Sequence, residues 1–269
     1  MKREPVFALQ GWYPADYRDA MAKLQSFVRT DRTPSAALGV VVPHAGWVYS
    51  GATAGKLYAE VEIPGRVIVL CPSHRGRGAN IAVWASGSWE TPIGEVPVDR
   101  DFAAALCQKD LRAKPDFEAH LTEHAIEIQL PFLLYRNPKV RIVPIRLGHL
   151  RYPEAAVFAQ NLADLILEAP GETLLVASSD MSHEPNPDRV ATNDRIARDR
   201  LLQLDALGLM DAVEEQDITM CGYLPAAVVM ETAKRLGART AREVAYTNSA
   251  EISGRTDYVV GYCAVRFDR

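Results

Sequence analysis

The chain has 269 residues, of which 48% are hydrophobic and 24% are charged, and its net charge is −4. These proportions are ordinary for a globular protein with a full core. Basic residues do not outnumber acidic ones, which argues against nucleic acid as a partner. The sequence has no apolar run of the roughly 20 residues that a membrane helix needs and no signal-peptide core. We expect a cytoplasmic protein whose four widely spaced cysteines are reduced.

The predicted elements alternate between strands and helices along the chain. Helices are predicted at 16–28, 52–61, 101–109, 123–135, 153–168, from about 188 onward, at 205–215, and before Gly237. Buried strands are predicted at 38–42, 66–70, 140–148 and 173–180, a hairpin at 81–99, and two final strands at 241–250 and 257–267. This alternation, without repeats or linkers, predicts one α/β domain over residues 1–269 with helices on both faces of its sheet.

Ionisable side chains follow three of the predicted strands. His44 comes directly after Pro43, which ends the first strand. His74 lies in CPSHRGRG after the second strand, and Asp180 and His183 lie in SSDMSHEPNP after the fourth. Cys221 stands in a glycine turn before a helix. Because ligands of open α/β sheets bind at the carboxyl ends of strands, we expect these side chains to converge.

Two histidines and a cysteine from separate loops would form a metal site with open positions for substrate. A thiolate among the ligands favours Fe(II), copper or zinc over magnesium or calcium. Each residue also has a structural alternative, since single histidines often serve as buried hydrogen-bonding groups and Cys221 could be a small core residue. Cys71 could be a fourth soft ligand, but burial at its strand end is the favoured interpretation.

Two further clusters leave alternatives open. Glu123 and Glu127 in EHAIE would share a helix face, either as solvated charges or as carboxylates that hold a metal-bound histidine. Ser178 and Ser179, next to Asp180, could serve a serine hydrolase, but the chain has no GxSxG elbow.

The chain resembles the Memo family, that of the mediator of ErbB2-driven cell motility, also called AmmeMemoRadiSam system protein B in prokaryotes. The resemblance rests on PHAGWVYSG, CPSHRGRG, EHAIEIQLPFL, ASSDMSH and MCGYLPA, which occur in the family's order and approximate spacing over nearly the whole chain. It implies a three-layer α/β/α sandwich with a mixed, mostly parallel sheet, similar to class III extradiol dioxygenases.

The resemblance also implies roles for individual residues. His44, His74 and Cys221 match the family's metal ligands, with the cysteine replacing the dioxygenase carboxylate. Asp180 and His183 match pocket residues, and the dioxygenase equivalent of His183 acts as acid and base. Glu123 and His124 match the EH motif, which favours a role in supporting the ligands. Cys71 and Leu224 depart from the family pattern, which often has glycine at both positions, and Leu224 would narrow the wall beside the site.

These observations together predict a metal-dependent redox enzyme acting on a small molecule, with Fe(II) as the first expectation and copper or zinc as alternatives. Zinc-assisted hydrolysis is one competing prediction. Another is a signalling or scaffold module that binds an anionic phosphopeptide through the pocket histidines with Arg75 and Arg77, although these arginines are more typical of a solvated loop. The family name implies association with a radical-SAM protein and a third component.

Overall fold

The computed structural model describes all 269 residues as eleven helices and twelve strands. The strands are β1 (Lys2–Arg3), β2 (Gly39–Val42), β3 (Arg66–Pro72), β4 (Ile81–Val83), β5 (Ser88–Thr91), β6 (Gly94–Pro97), β7 (Ala113–Pro115), β8 (Arg141–Leu147), β9 (Thr173–Ser178), β10 (His183–Glu184), β11 (Thr240–Asn248) and β12 (Val259–Asp268). The helices are α1 (Val6–Leu9), α2 (Tyr17–Phe27), α3 (Trp47–Glu60), α4 (Arg100–Lys109), α5 (Glu118–Leu121), α6 (Leu130–Arg136), α7 (Tyr152–Glu168), α8 (Pro187–Leu202), α9 (Ala206–Glu215), α10 (Tyr223–Arg235) and α11 (Ser249–Ser253). None of these helices combines the length and apolar character needed to cross a bilayer.

Nine strands form one mixed sheet in the order β10-β12-β2-β9-β3-β8-β4-β7, with β11 also paired to β12. Its four central strands, β2, β9, β3 and β8, run parallel. The last strand, β12, joins β2 antiparallel, and β4 joins β8 antiparallel. Strands β1, β5 and β6 form a separate small sheet. The carboxyl ends of the central strands therefore meet at one edge.

The central strands are buried on both faces, as their near-continuous Val, Ile and Leu runs predict. Alternate residues contribute to two apolar cores: Ile68 and Leu70 of β3 belong to one, and Val67 and Val69 belong to the other. The first core is filled by residues of α4, α7, α8, α9 and α10, and the second by residues of α1, α2, α3 and α6. The predicted three-layer α/β/α architecture is confirmed.

Three local predictions from the sequence were wrong: a helix that begins at Glu123, a kink in that helix at Pro131, and a position for Asp194 at the amino end of the helix from about 188. The helix expected from Glu123 starts only at Leu130, after a 3-10 turn, because the Glu123 carboxylate accepts backbone hydrogens from neighbouring loops instead of facing a helix surface. Pro131 lies in the first turn of α6, where proline is tolerated, and does not kink the helix. Asp194 is not at the start of α8; its buried carboxylate accepts hydrogen bonds from Ser182 N and the Tyr246 hydroxyl.

Candidate metal centre

The predicted metal ligands come together at the carboxyl edge of the sheet. His44 follows β2, His74 follows β3, and Cys221 lies just before α10. One ligand atom from each of the three residues lies within 4.8 Å of the others. The His44 and His74 rings meet edge to face with centroids 5.2 Å apart. The convergence that the strand ends predict is present in the fold.

The ring of His44 is held in one tautomer by Ser178. The Ser178 hydroxyl donates to the carbonyl oxygen of Ala125 at 2.7 Å and accepts from Gln129 Nε2 at 2.9 Å. Its remaining acceptor position faces His44 Nδ1 at 3.0 Å, so Nδ1 must carry the hydrogen. His44 Nε2 is then an unprotonated lone pair, and it lies 3.2 Å from the sulfur of Cys221. This is the arrangement in which an imidazole can bind a metal.

Burial keeps the His44 ring neutral. The residue is 1% exposed, and burial, followed by the charge of His74, lowers its pKa from 6.5 to about 3. The ring therefore offers its Nε2 lone pair across the neutral pH range.

His74 is oriented by a carboxylate. Glu123 Oε1 lies 2.8 Å from His74 Nδ1, and Glu123 Oε2 accepts from the backbone nitrogen of His74 at 3.0 Å. When the ring carries a single hydrogen, the Glu123 carboxylate holds it on Nδ1, and Nε2 is then a lone pair. Burial alone would raise the pKa of Glu123, but the hydrogen bond and charge of His74, with His124, bring it down to about 2. Glu123 is therefore ionised and bonds to both the ring and the backbone of His74, the contact that a supporting role would require.

Cys221 is placed by a close backbone contact. Gly222 N donates to Ser179 Oγ at 2.9 Å, and a methyl group on Gly222 would lie 2.6 Å from the carbonyl oxygen of Ser178. Only glycine lets this loop lie so close to the end of β9. Burial, followed by the charge of Asp180, raises the pKa of the Cys221 thiol. The metal-free thiol is therefore protonated and donates to His44 Nε2.

Asp180 and His183 flank the ligands but do not hydrogen-bond to each other. Asp180 Oδ1 accepts from the backbone nitrogens of His44 and Ala45 at 2.7 and 3.1 Å, so it fixes the His44 loop. Burial raises the pKa of Asp180. His183 Nδ1 lies 3.1 Å from the carbonyl oxygen of Thr219, an acceptor, so the hydrogen is on Nδ1 and Nε2 is free.

His124 lies among aromatic rings beside the ligands. Its ring stacks on His74 with centroids 4.5 Å apart and lies 4.5 Å from the ring of Trp12. Its Nδ1 is 3.4 Å from Glu123 Oε1, and His74, Glu123 and His124 form a second group that could hold a metal. Burial lowers the pKa of His124 to about 3. The residue closes one side of the site.

Glu127 does not support the ligands directly. It is completely buried and pairs with Arg3 at 2.5 Å, and its Oε1 accepts from Phe7 N, Ala8 N and the Tyr13 hydroxyl at 2.8, 3.1 and 3.0 Å. Arg3 in turn donates to the carbonyl oxygens of His120 and Glu123 at 3.0 and 2.9 Å. The N-terminal segment therefore anchors the loop that carries Glu123.

The remaining predicted residues take structural or peripheral positions. Cys71 is fully buried in the core and joins neither ligand group. Arg75 and Arg77 are exposed on the loop after β3, as expected for solvated charges. Leu224 is 5% exposed and lines a cavity beside Cys221. The hydroxyls of Ser178 and Ser179 are both bonded to backbone groups, which does not suit a hydrolase nucleophile.

Sequence reasoning missed the groups behind His44. Gln129 donates to Pro43 O and to Ser178, and its Oε1 accepts from the Tyr58 hydroxyl at 3.0 Å. The sequence did contain an indication of these contacts, because Gln129 lies inside the apolar run EIQLPFLL. A buried amide needs hydrogen-bond partners.

Comparison with known proteins agrees with this architecture. Residues 3–266 match the profile of the family described as Memo-like protein. A MEMO1 family protein of Methanopyrus kandleri is 34% identical over the whole of both chains, and one of Aquifex aeolicus is 36% identical over 98% of each. A MEMO1 family protein of Sulfolobus acidocaldarius is 38% identical over 84% of this chain and 81% of its own.

One solved structure shares the fold at low sequence identity. An uncharacterized protein of Escherichia coli K12 superposes with a TM-score of 0.58 at 15% identity, over 85% of this chain and 98% of its own. That likeness supports the fold alone. The profile match and the full-length relatives confirm the resemblance seen in the sequence motifs, and this chain belongs to the Memo family.

Proposed function

We propose that the protein is a metal-dependent redox enzyme in which His44, His74 and Cys221 bind Fe(II) or copper. The observation that supports this most is that both imidazoles are hydrogen-bonded through Nδ1, His44 to Ser178 and His74 to Glu123. Both rings thus leave Nε2 free, in a group whose ligand atoms lie within 4.8 Å of one another.

The residues present fit such an ion. Two imidazole nitrogens and one thiol are a soft donor set, which suits iron, copper or zinc better than magnesium or calcium. Three protein ligands leave coordination positions open, as a catalytic rather than structural site requires. The bound ion would supply redox chemistry and a binding position for a small molecule.

Three side chains of the protein have proposed roles beside the metal: Cys221, His183 and Asp180. Cys221 must lose its proton on metal binding, and because His44 Nε2 is also a proposed ligand, the hydrogen bond between the two atoms would break and the proton would leave to solvent. His183 is the proposed general base, because its Nδ1 is held by Thr219 O and its Nε2 is free to take a proton from a substrate. Asp180 keeps the His44 loop in place through two backbone hydrogen bonds and does not orient His183.

The test is the metal content of anaerobically purified protein. We compare wild type with His44→Ala and Cys221→Ser, and with Cys107→Ser as a control for a half-buried cysteine outside the site. The expected result is about one iron or copper per chain in wild type and in the control, with loss in both site variants. Circular dichroism verifies that each variant is folded.

Two outcomes would contradict the proposal. Stoichiometric zinc that iron and copper fail to replace on reconstitution would support metal-assisted hydrolysis instead. Failure to bind any of the three metals would favour a non-catalytic module that binds an anionic peptide.

A further inference from the structure

Arg146 is a buried arginine without a carboxylate partner. The chain has four buried arginines, and three of them pair with a carboxylate: Arg3 with Glu127 at 2.5 Å, Arg66 with Asp99 at 2.9 Å, and Arg266 with Asp268 at 2.6 Å. Arg146 is 2% exposed, its Nη2 donates only to the carbonyl oxygen of Ala79 at 2.8 Å, and its Nε has no partner. An unpaired buried cation is costly unless something compensates it.

The neighbouring strands do not supply that compensation. Arg146 lies in β8, directly opposite Cys71 of β3 and Ala82 of β4 in the strand register. Neither side chain carries a negative charge when the thiol is protonated, and burial raises the pKa of Cys71. The carboxylate of Asp116 lies close enough to interact with the charge of Arg146, but it accepts from Ala79 N at 2.8 Å and Ala119 N at 3.1 Å and forms no ion pair with the guanidinium. The Nε donor of Arg146 stays without a partner in the chain.

Arg146 lines a cavity that reaches the metal centre. The cavity has a volume of about 400 Å³ and thirteen lining residues, among them Ser73, Asn80, Arg146, Cys221, Tyr223 and Leu224. None of the thirteen is acidic. It lies at the carboxyl ends of β3 and β8, where α/β sheets bind their ligands.

We propose that this cavity binds the substrate as a small carboxylic acid, with the carboxylate on Arg146 and the apolar body against Tyr223, Leu224 and Cys221. The inference rests on the proposed function and names its substrate class. Arginine presents parallel donors that match a carboxylate. The cavity is at the small end of the range for ligand sites, which suits one ring or a short chain.

The charge balance favours a carboxylate over a phosphate group. Arg146 is the one lysine or arginine in the lining, and a single guanidinium neutralises a monoanion. A phosphate group carries roughly two negative charges at neutral pH and would need further cations. Arg75 and Arg77 do not line this cavity.

The test is binding of benzoate to metal-free protein by calorimetry, with benzamide as the neutral isostere and inorganic phosphate as the alternative anion. We expect benzoate alone to bind. Arg146→Met should weaken benzoate by about tenfold or more, the loss expected for a charge-assisted pair, whereas Arg77→Met should not change it. In an NMR spectrum, the Nε–H resonance of Arg146 is identified as the one that Arg146→Met lacks. Benzoate should shift this resonance in wild type.

Stability and metal content separate this role from a structural one. Arg146→Met should keep its metal and melt at the same temperature as wild type or higher, since it removes a buried charge that forms no ion pair. Arg146→Lys keeps the charge but cannot form the bidentate hydrogen bonds of a guanidinium, so it should bind benzoate more weakly than wild type.

Three results would overturn the inference: equal benzoate binding by wild type and Arg146→Met, equal binding of benzamide or phosphate, or no benzoate binding at all. Because the assay uses metal-free protein, it succeeds or fails independently of the metal analysis.

Discussion

Replacing Arg3 by methionine tests how the N-terminal segment supports the metal-site loop. The guanidinium pairs with Glu127, donates to two loop carbonyl oxygens and lies 4.3 Å from the centroid of the Trp89 ring. Arg3→Met leaves the Glu127 carboxylate, which is 0% exposed, without its cation. Breaking a buried ion pair from one side costs about 3–5 kcal/mol, and we expect the free energy of unfolding to fall by that amount.

Urea unfolding at pH 7, followed by tryptophan fluorescence and circular dichroism, measures this free energy. For a chain of this size, a loss of about 4 kcal/mol lowers the melting temperature on the order of 10 °C. The same variant should bind metal more weakly, because the loop carrying Glu123 loses its anchor.

Lys2→Met is the matched control. Lys2 forms ion pairs with Glu90 and Glu95 at 3.0 and 3.1 Å, but its side chain is 50% exposed, so we expect Lys2→Met to change the free energy of unfolding far less than Arg3→Met does. The double variant Arg3→Met/Glu127→Gln removes both charges and should be less destabilised than Arg3→Met alone. If Arg3→Met and Lys2→Met lose the same small amount, the reasoning about the buried pair is refuted.

Three further predictions concern buried groups. Ser178→Ala frees the Nδ1 of His44, and metal affinity measured by competition with a chelator should fall about 10–100-fold. Gly222→Ala forces the Cys221 loop away from β9, and we expect about 1–3 kcal/mol of destabilisation in urea unfolding together with loss of bound metal. Burial lowers the pKa of His120 from 6.5 to about 3, so the unfolded chain binds a proton that the folded protein does not, and stability falls by about 1.4 kcal/mol per unit as pH drops from 6.5 towards 3. His120→Gln should reduce the slope of unfolding free energy against pH by that amount.

Each of these predictions has a matched control. Ser50→Ala removes a buried hydroxyl that bonds to Ala45 O and touches no ligand ring, so its metal affinity should equal that of wild type; a similar loss in both serine variants would contradict the tautomer argument. A methyl group on Gly65 meets nothing within 4 Å, so Gly65→Ala should not change the free energy of unfolding. If Gly222→Ala retains its metal, the argument from the close contact at Gly222 is wrong. His149 is exposed, and His149→Gln should keep the wild-type pH slope. If His120→Gln keeps the wild-type slope of unfolding free energy against pH, His120 does not contribute to the pH dependence of stability.

The sequence was most informative where local chemistry alone decides the structure. Apolar runs that end in proline specified the strands before His44 and His74, and parallel strands necessarily bring their carboxyl ends to one edge. Long-range pairs were not predictable, because nothing local indicates that Glu127 faces Arg3 or that Gln129 faces Ser178. Arg146 was detectable in the sequence, since a cation inside the buried strand VRIVPIRLG requires a partner, but only the fold shows that it forms a hydrogen bond to a carbonyl oxygen and no ion pair.

The order of the strands has a consequence for how the site matures during protein synthesis. His44 and Cys221 are 177 positions apart, and β2, which precedes His44, borders β12, which follows Cys221 in the chain. Domains fold as units once their residues have left the ribosome, so the proposed ligand set cannot assemble until Cys221 and β12 have been synthesised. We expect ribosome-bound chains truncated before Cys221 to retain no metal, whereas chains released at full length take it up. On the proposed function, a metal would therefore bind late, to a fold whose sheet already includes β12.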